Sequence, residues 1–155
     1  MIKKVIGKIH LWLGLSVGLI VVFLGITGCM LAFQREIETV TQTYAYVDAQ
    51  EKQFLQPSEL GRIAQAELPG KTLHSVTYGS KTNSAQVAFY QFEPGYYYIV
   101  YINPYSGEVL KVKNMDRDFF RILIDGHFYL WLPPHIGQPI VASATLIFVI
   151  MMITG

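Results

Sequence analysis

A run of 23 residues from Leu11 to Phe33 contains no Asp, Glu, Lys or Arg. As a helix it would be roughly 35 Å long, which exceeds the roughly 30 Å hydrocarbon core of a bilayer. A second stretch, from Phe128 to Gly155, is also uncharged. The two windows predict an integral membrane protein, although 155 residues would also suit one soluble domain.

The charges around the first window predict its orientation. Three cations precede it and a mixed cluster follows it: Lys3, Lys4 and Lys8, then Arg35, Glu36 and Glu38. Because Lys and Arg are enriched in cytoplasmic flanks, we place the N-terminus in the cytoplasm and residues 35–135 outside it. A cleaved signal peptide is one alternative. Another is suggested by Ile26–Cys29, which resembles a bacterial lipobox in which Cys29 would be lipidated after cleavage.

Three glycines suggest that the first helix packs against a neighbour. Gly14, Gly18 and Gly25 fall near one face of a helix, and the first two match the small-xxx-small pattern. We therefore expect a close helix–helix contact along this face. The alternative is that glycine is simply common in membrane helices.

The stretch between the two windows predicts a helix followed by an antiparallel meander. Ser58–Leu68 has apolar residues at helical spacing after Pro57. Four runs rich in β-branched and aromatic residues follow, separated by turn signals: Thr72–Tyr78, Ala85–Gln91, Tyr96–Ile102 and Glu108–Val112. The fold class is thus an α+β membrane protein, with transmembrane helices flanking a small extracytoplasmic helix-plus-antiparallel-sheet domain.

The predicted domain limits follow from these patterns. Residues 1–34 hold the cytoplasmic N-terminus and first span, and residues 35–114 hold the extracytoplasmic domain. Residues 115–135 mix charges with bulky apolar side chains, as in a segment lying along a membrane interface. Pro133 and Pro134 then interrupt any continuous helix, and residues 136–155 form a second span. Its end lacks a polar flank, so we expect an incomplete span or a fragment. The last three residues, Ile153–Gly155, also repeat the Ile26–Gly28 sequence, which places a polar threonine in each span.

Some function classes are disfavoured by composition. A net charge of +1 provides no basic field for nucleic acid. The single cysteine, Cys29, can form neither an intramolecular disulfide nor a cysteine-based metal site. The middle domain has no set of catalytic residues in a familiar motif. It is therefore interpreted as a binding or regulatory module.

Three of the four histidines are predicted at or near the membrane, where ionisable side chains are uncommon and often functional. His10 lies at the start of the first span, His127 in the interfacial segment, and His135 just before the second span. His74 is expected on a strand surface. Interfacial packing or hydrogen bonding is the alternative role for each of the three.

Two stretches of sequence resemble known families. The turn from Tyr101 to Leu110 resembles that of a PepSY domain. The motifs Ile9–Leu15, Thr27–Gly28 and Asp125–Pro133, followed by a span ending in Ile-Thr-Gly, resemble the PepSY-associated transmembrane family over essentially the whole chain. Such proteins belong to the bacterial cytoplasmic (inner) membrane and are often iron-regulated, and some are haem-containing reductases of ferric siderophores. They usually carry additional transmembrane helices beyond the point where this sequence ends.

The resemblance implies haem b bound by histidines from different helices. His10 and His127 are the candidate iron ligands, and His135 is a weaker cofactor-binding candidate. Because His10 and the other two are separated by about the roughly 30 Å thickness of the hydrocarbon core, they cannot share one iron. We therefore expect two haem levels, with the opposite ligands supplied by missing helices or a second copy.

Three functional interpretations remain open from the sequence. The first is a haem-binding electron-transfer protein that contributes to reduction of a ferric siderophore, with enzyme activity only when the missing helices are present. The second is a non-enzymatic membrane-anchored PepSY module that senses or binds a peptide. The third is an inactive truncated product. The expected partners are the lipid bilayer, other transmembrane helices and the ferric siderophore, with no nucleic acid.

Overall fold

The computed structural model describes residues 2–154. The helices in chain order are α1 Ile2–Ala32, α2 Gln34–Thr41, α3 Pro57–Glu67, α4 Phe119–Tyr129 and α5 Pro134–Thr154. The strands are β1 Leu73–Thr77, β2 Ala85–Gln91, β3 Tyr96–Ile102 and β4 Val109–Asn114. The chain divides into two compact units, one running from Arg35 to Asp118 and the other formed by the segments before and after it. We call these the sheet unit and the helical unit.

The helical unit contains two helices that are long and apolar enough to cross a membrane. They are Lys3–Ala32 within α1 and Pro134–Thr154 in α5. Serine and threonine hydroxyls in α1 bond to the carbonyl four residues earlier, as Ser16 does to Trp12 at 2.8 Å. Such bonds satisfy polar side chains inside an otherwise apolar helix. The two predicted spans are thus present as helices, and α5 begins two residues earlier than expected because Pro134 suits a first helical turn.

One stripe of α1 faces α4 and α5. Its members recur at alternating spacings of four and three residues, which is the period that keeps one face against a packed neighbour. None of them is fully exposed: His10, Gly14, Val17, Val21, Leu24, Gly28 and Leu31. The stripe therefore carries a histidine near one end and a glycine near the other.

The predicted glycine contact is confirmed at one position only. A methyl group on Gly14 would lie 3.1 Å from the Met151 side chain of α5, so these helices approach closely there. A methyl on Gly18 or Gly25 would meet nothing outside its own helix among the described residues. Gly18 and Gly25 lie one position beyond the stripe that faces α4 and α5, so their contact with a neighbouring helix stays a prediction.

The link between α4 and α5 is a tight turn with unusual backbone. Leu130 and Trp131 have φ of 54° and 57°, a region that non-glycine residues seldom occupy. The Leu130 N–H donates to the Gly126 carbonyl at 2.9 Å, and the Trp131 indole N–H donates to the Ile122 carbonyl at 2.8 Å. The turn therefore folds the Trp131 ring back over α4. Helix α4 ends at Tyr129, the residue whose carbonyl the ring of Pro133 would clash with if the helix continued. The proline pair therefore fits the predicted interruption.

The sheet unit is a four-stranded antiparallel meander in the order β1-β2-β3-β4, with α3 on one face. Its core is almost inaccessible to solvent: Leu60, Ala64, Ala85, Val87, Phe89, Val100 and Ile102. Val87 pairs with Val100, and both side chains point toward α3 because strand side chains alternate. The predicted helix and four strands are confirmed, although β4 runs to Asn114 where the prediction ended at Val112.

The other face of the sheet is partly covered from within the unit. The Tyr101 ring lies 4.8 Å from the ring of Tyr44, which belongs to the short turn at Thr43–Ala45. Tyr101 is only 6% exposed. At Tyr101 this face of the sheet is therefore covered by the chain itself.

Candidate functional site

Thr27 and His127 meet inside the helical unit. The threonine oxygen Oγ1 lies 2.8 Å from the imidazole nitrogen Nδ1. Thr27 is only 4% exposed, and His127 is half-buried. Helix α1 presents the hydroxyl beside the stripe that faces its neighbours, and α4 carries the imidazole across from it. The pair is therefore a side-chain contact between two helices in a mostly apolar setting.

The threonine oxygen has two other neighbours. It lies 2.9 Å from the Phe23 carbonyl and 3.2 Å from the Leu24 carbonyl, both in the preceding turn of α1. A hydroxyl has one proton to donate and two lone pairs to accept with. The site thus places one hydroxyl proton among two carbonyl acceptors and one ring nitrogen.

Gly28 provides the space in which the imidazole lies. A methyl group built there would be 3.2 Å from Cε1 of His127, which is tighter than most contacts of real side chains. Thr27 and Gly28 therefore contact the same ring, one through a hydrogen bond and one through the absence of a side chain. This gives the Ile26–Gly28 motif a physical role that its sequence alone did not reveal.

Aromatic rings surround the pair. Phe23 packs edge to face with Trp131, with ring centroids 5.4 Å apart. Phe128 lies at 5.3 Å from the His127 ring, nearly perpendicular to it. Phe128 therefore covers part of the imidazole, and the other two rings add apolar surface to α1 and the turn after α4.

His10 lies in a second location, beside a groove of about 330 Å³ between α1 and α5. The lining is almost wholly apolar apart from the histidine and Thr154: Ile6, Ile9, His10, Leu13, Ile147, Ile150, Met151 and Thr154. The Thr154 hydroxyl donates to the Ile150 carbonyl at 2.9 Å, as Thr27 does to Phe23. Each threonine of the repeated Ile-Thr sequence therefore lies near a histidine: Thr27 bonds to His127, and Thr154 lines the same groove as His10.

The two histidines are well separated. Thr27, which holds His127, lies 17 residues beyond His10 on α1, or about 25 Å at about 1.5 Å per residue. That distance is several times an iron–nitrogen bond, so His10 and His127 cannot bind the same iron atom. Their roles as iron ligands stay predictions.

The other two histidines, His135 and His74, are exposed. His135 is exposed in the first turn of α5, and its predicted role in cofactor binding stays a prediction. His74 is exposed on β1 of the sheet unit, with its ring 6.1 Å from that of Tyr90, which fits the expected surface position.

The histidines of the helical unit provide nitrogen ligands of the kind that a haem iron binds. Within residues 2–154, no three side chains of His, Cys, Asp and Glu converge in a metal-binding group. A haem requires fewer protein ligands, because its macrocycle supplies four nitrogens and each histidine one axial nitrogen. One imidazole in an apolar setting at each level fits that requirement for one axial position. The opposite position needs a ligand from elsewhere.

The contact between Thr27 and His127 was not anticipated from the sequence. The repeated Ile-Thr-Gly sequence predicts only a polar threonine in each span. The signal that could have identified the pair was the combination of that repeat with a membrane histidine, because a buried hydroxyl and a buried imidazole both need partners.

A search of curated proteins found no match to this chain. The model of one protein family, the PepSY-associated TM region, matches residues 8–155. This match covers both membrane-type helices, the sheet unit and the Thr27–His127 pair. The chain therefore belongs to the PepSY-associated transmembrane family, and it is a membrane protein.

Proposed function

We propose that this protein is a haem-binding electron-transfer protein of the bacterial inner membrane that contributes to the reduction of a ferric siderophore. The Thr27–His127 hydrogen bond of 2.8 Å is the observation that carries the proposal. Imidazoles that ligate metals almost always use their second nitrogen to bond an oriented partner. An imidazole held through Nδ1 keeps Nε2 for a ligand.

His127 and His10 would each hold one haem b through a ring nitrogen. A bound haem would supply reversible one-electron chemistry. The protein's own contribution is binding and orientation: Thr27 fixes the His127 ring, and Gly28 leaves room for it. The apolar side chains beside His10 exclude water from that level. Because α1 carries both levels about 25 Å apart, one helix would set the separation between the two carriers.

A second protein ligand for each haem would come from further transmembrane helices or from a second copy of the chain. The exposed apolar side chains of α1 and α5 leave surface for such neighbours as well as for lipid, including Leu15, Leu19 and Val22 on α1. Helices α1 and α5 would then form part of a larger haem-binding helix bundle.

The test is haem binding by the purified full-length chain in detergent. We expect a Soret band, loss of one haem in His127→Ala and loss of the other in His10→Ala. His74→Ala is the matched control, because His74 is exposed on a strand of the sheet unit. Absence of a Soret band, or a band unchanged in both variants, contradicts the proposal.

An aromatic cluster favours a second candidate, a membrane-anchored module that binds a peptide. In the sheet unit, the Tyr90 ring lies 5.0 Å from Phe92 and 5.7 Å from Tyr97. Phe92 is 81% exposed, and such exposed aromatic groups often mark binding surfaces. This function predicts a protein without haem and a partner whose binding is lost in Phe92→Ser. Quantifying haem and partner in the same purification separates the two functions.

A further inference from the structure

We propose that Thr27 is a positioning residue that sets the tautomer of His127. Its oxygen accepts a hydrogen bond from Nδ1–H, so that Nε2 bears a free lone pair. The role assigned to Thr27 rests on the haem-binding function proposed above. The tautomer of His127 itself can be measured without haem. The proposed function names His127 as an iron ligand, whereas this inference names Thr27 as the residue that makes Nε2 of His127 available.

The first step is a count of hydrogen bonds. If Nδ1–H donates to Oγ1, the hydroxyl proton remains with the Phe23 carbonyl at 2.9 Å, and two hydrogen bonds form. If the hydroxyl instead donates to Nδ1, it gives up the carbonyl, and one bond forms. The second arrangement also places a proton on Nε2, where it needs an acceptor of its own. The first arrangement therefore satisfies more polar groups.

Burial increases the difference between the two arrangements. Thr27 is 4% exposed, so water competes little for its hydroxyl. A hydrogen bond lost in a buried site, where the donor or acceptor stays unpaired, shifts a tautomer equilibrium by about 5- to 150-fold.

The ring is also held on a second side. A methyl group at Gly28 would stand 3.2 Å from Cε1, so the ring lies directly against the backbone of α1. Cε1 is the atom between the two ring nitrogens. Contact there, together with the bond at Nδ1, limits the rotation of the ring.

Thr145 provides a matched comparison in the same unit. Its hydroxyl donates to the carbonyl four residues earlier, Val141, at 2.9 Å, and the residue is exposed. It therefore shares the local helix geometry of Thr27 without the imidazole. Replacing either threonine by valine removes the same local bond, but only Thr27→Val removes the acceptor for His127.

The direct test is ¹⁵N NMR of the full-length protein without haem, labelled at the histidine ring nitrogens. His127→Gln identifies the His127 signals by their loss. We expect a protonated Nδ1 and an unprotonated Nε2 in the parent protein. Thr27→Val should move the proton toward Nε2, whereas Thr27→Ser and Thr145→Val should leave it on Nδ1. Protonation of Nε2 in the parent, alone or together with Nδ1, overturns the proposal without any variant.

A second measurement uses the haem-loaded protein. Without the Thr27 oxygen as acceptor for Nδ1–H, Nε2 of His127 becomes less basic. A less basic ligand stabilises ferric iron less strongly. We expect Thr27→Val to shift the midpoint potential of one haem to more positive values and to weaken its retention by about 10- to 100-fold. Thr145→Val should change neither quantity.

The two proposals fail in different ways. If the parent protein binds no haem, the proposed function is wrong, whereas the tautomer measurement still decides the role of Thr27. If haem binds and Thr27→Val leaves the potential, the retention and the tautomer unchanged, the function stands and the positioning role is wrong.

Discussion

At Gly28, a methyl group would have two opposing effects. Alanine is favoured over glycine inside a helix by about 1 kcal/mol. A Cβ at this position, however, would approach Cε1 of His127 to 3.2 Å, so the ring would have to move by a few tenths of an ångström. Gly25, three residues earlier on α1, has open space at its Cβ within the described part of the chain. The two glycines lie on the same helix, but only Gly28 lies against another side chain.

We predict that Gly25→Ala raises the thermal stability of the protein and leaves haem binding unchanged. Gly28→Ala should gain less stability or lose some, and it should weaken haem retention because the Thr27–His127 bond lengthens. Thermal unfolding followed by circular dichroism and the Soret absorbance of both variants are the measurements. Identical behaviour of the two variants would show that the ring does not press on α1.

Among the elements, β4 is tied to the segment that follows it by an ion pair. The Lys113 Nζ and Asp118 Oδ2 atoms lie 2.7 Å apart, and both side chains are largely covered. Between them the Asn114 side chain accepts a hydrogen bond from the Asp116 N–H at 2.9 Å. These bonds hold the chain in a defined path as it leaves the sheet.

The pair gives the sheet unit a dependence on alkaline pH. Burial by itself lowers the pKa of Lys113, but the hydrogen bond and negative charge of Asp118 outweigh it and raise the pKa above 10.5. A raised lysine pKa contributes stability that is complete below the ordinary value. That contribution is lost as the pH rises through the raised pKa.

We predict that Asp118→Asn lowers the free energy of unfolding by about 1–3 kcal/mol at neutral pH. The difference from the parent protein should shrink as the pH passes above about 10.5. Denaturant unfolding followed by near-ultraviolet circular dichroism, from about pH 8 to about pH 12, measures it. Lys111→Gln is the control, because Lys111 is exposed on the same strand. A constant difference across this range would contradict the role assigned to the pair.

At the scale of the whole molecule, the orientation of α1 in the membrane determines which side each histidine faces. The cations at the start of α1, Lys3, Lys4 and Lys8, favour a cytoplasmic N-terminus and an extracytoplasmic sheet unit. In that orientation His10 lies at the cytoplasmic level and His127 at the outer one. Electrons would then cross from inside to outside, toward a substrate beyond the membrane.

Cysteine labelling tests this orientation, because Cys29 is the only native thiol. In a Cys29→Ser background, Glu51→Cys should react with a membrane-impermeant maleimide on intact spheroplasts. Lys4→Cys should react only after permeabilisation. Both positions are exposed, so accessibility within the protein does not distinguish them. The reverse labelling pattern would invert the topology and the proposed direction of electron flow.

Local features of the fold were predictable to within a few residues. Strands Ala85–Gln91 and Tyr96–Ile102 have the bounds that the sequence indicated, because turn residues delimit them sharply. Helix α3 buries Leu60 and Ala64 at the predicted spacing. Helix α2 was missed because its eight residues, Gln34–Thr41, follow α1 without a strong break and bury no residue of their own.

The sequence by itself determined the two apolar spans, the meander and the histidines to consider, because each depends on composition and periodicity within a short window. Only the tertiary structure decided that Thr27 meets His127, which lies 100 positions away along the chain. It also decided that Gly28, and neither Gly18 nor Gly25, lies against that ring. Such contacts depend on how α1, α4 and α5 pack together, and no local pattern encodes the relative rotation of packed helices.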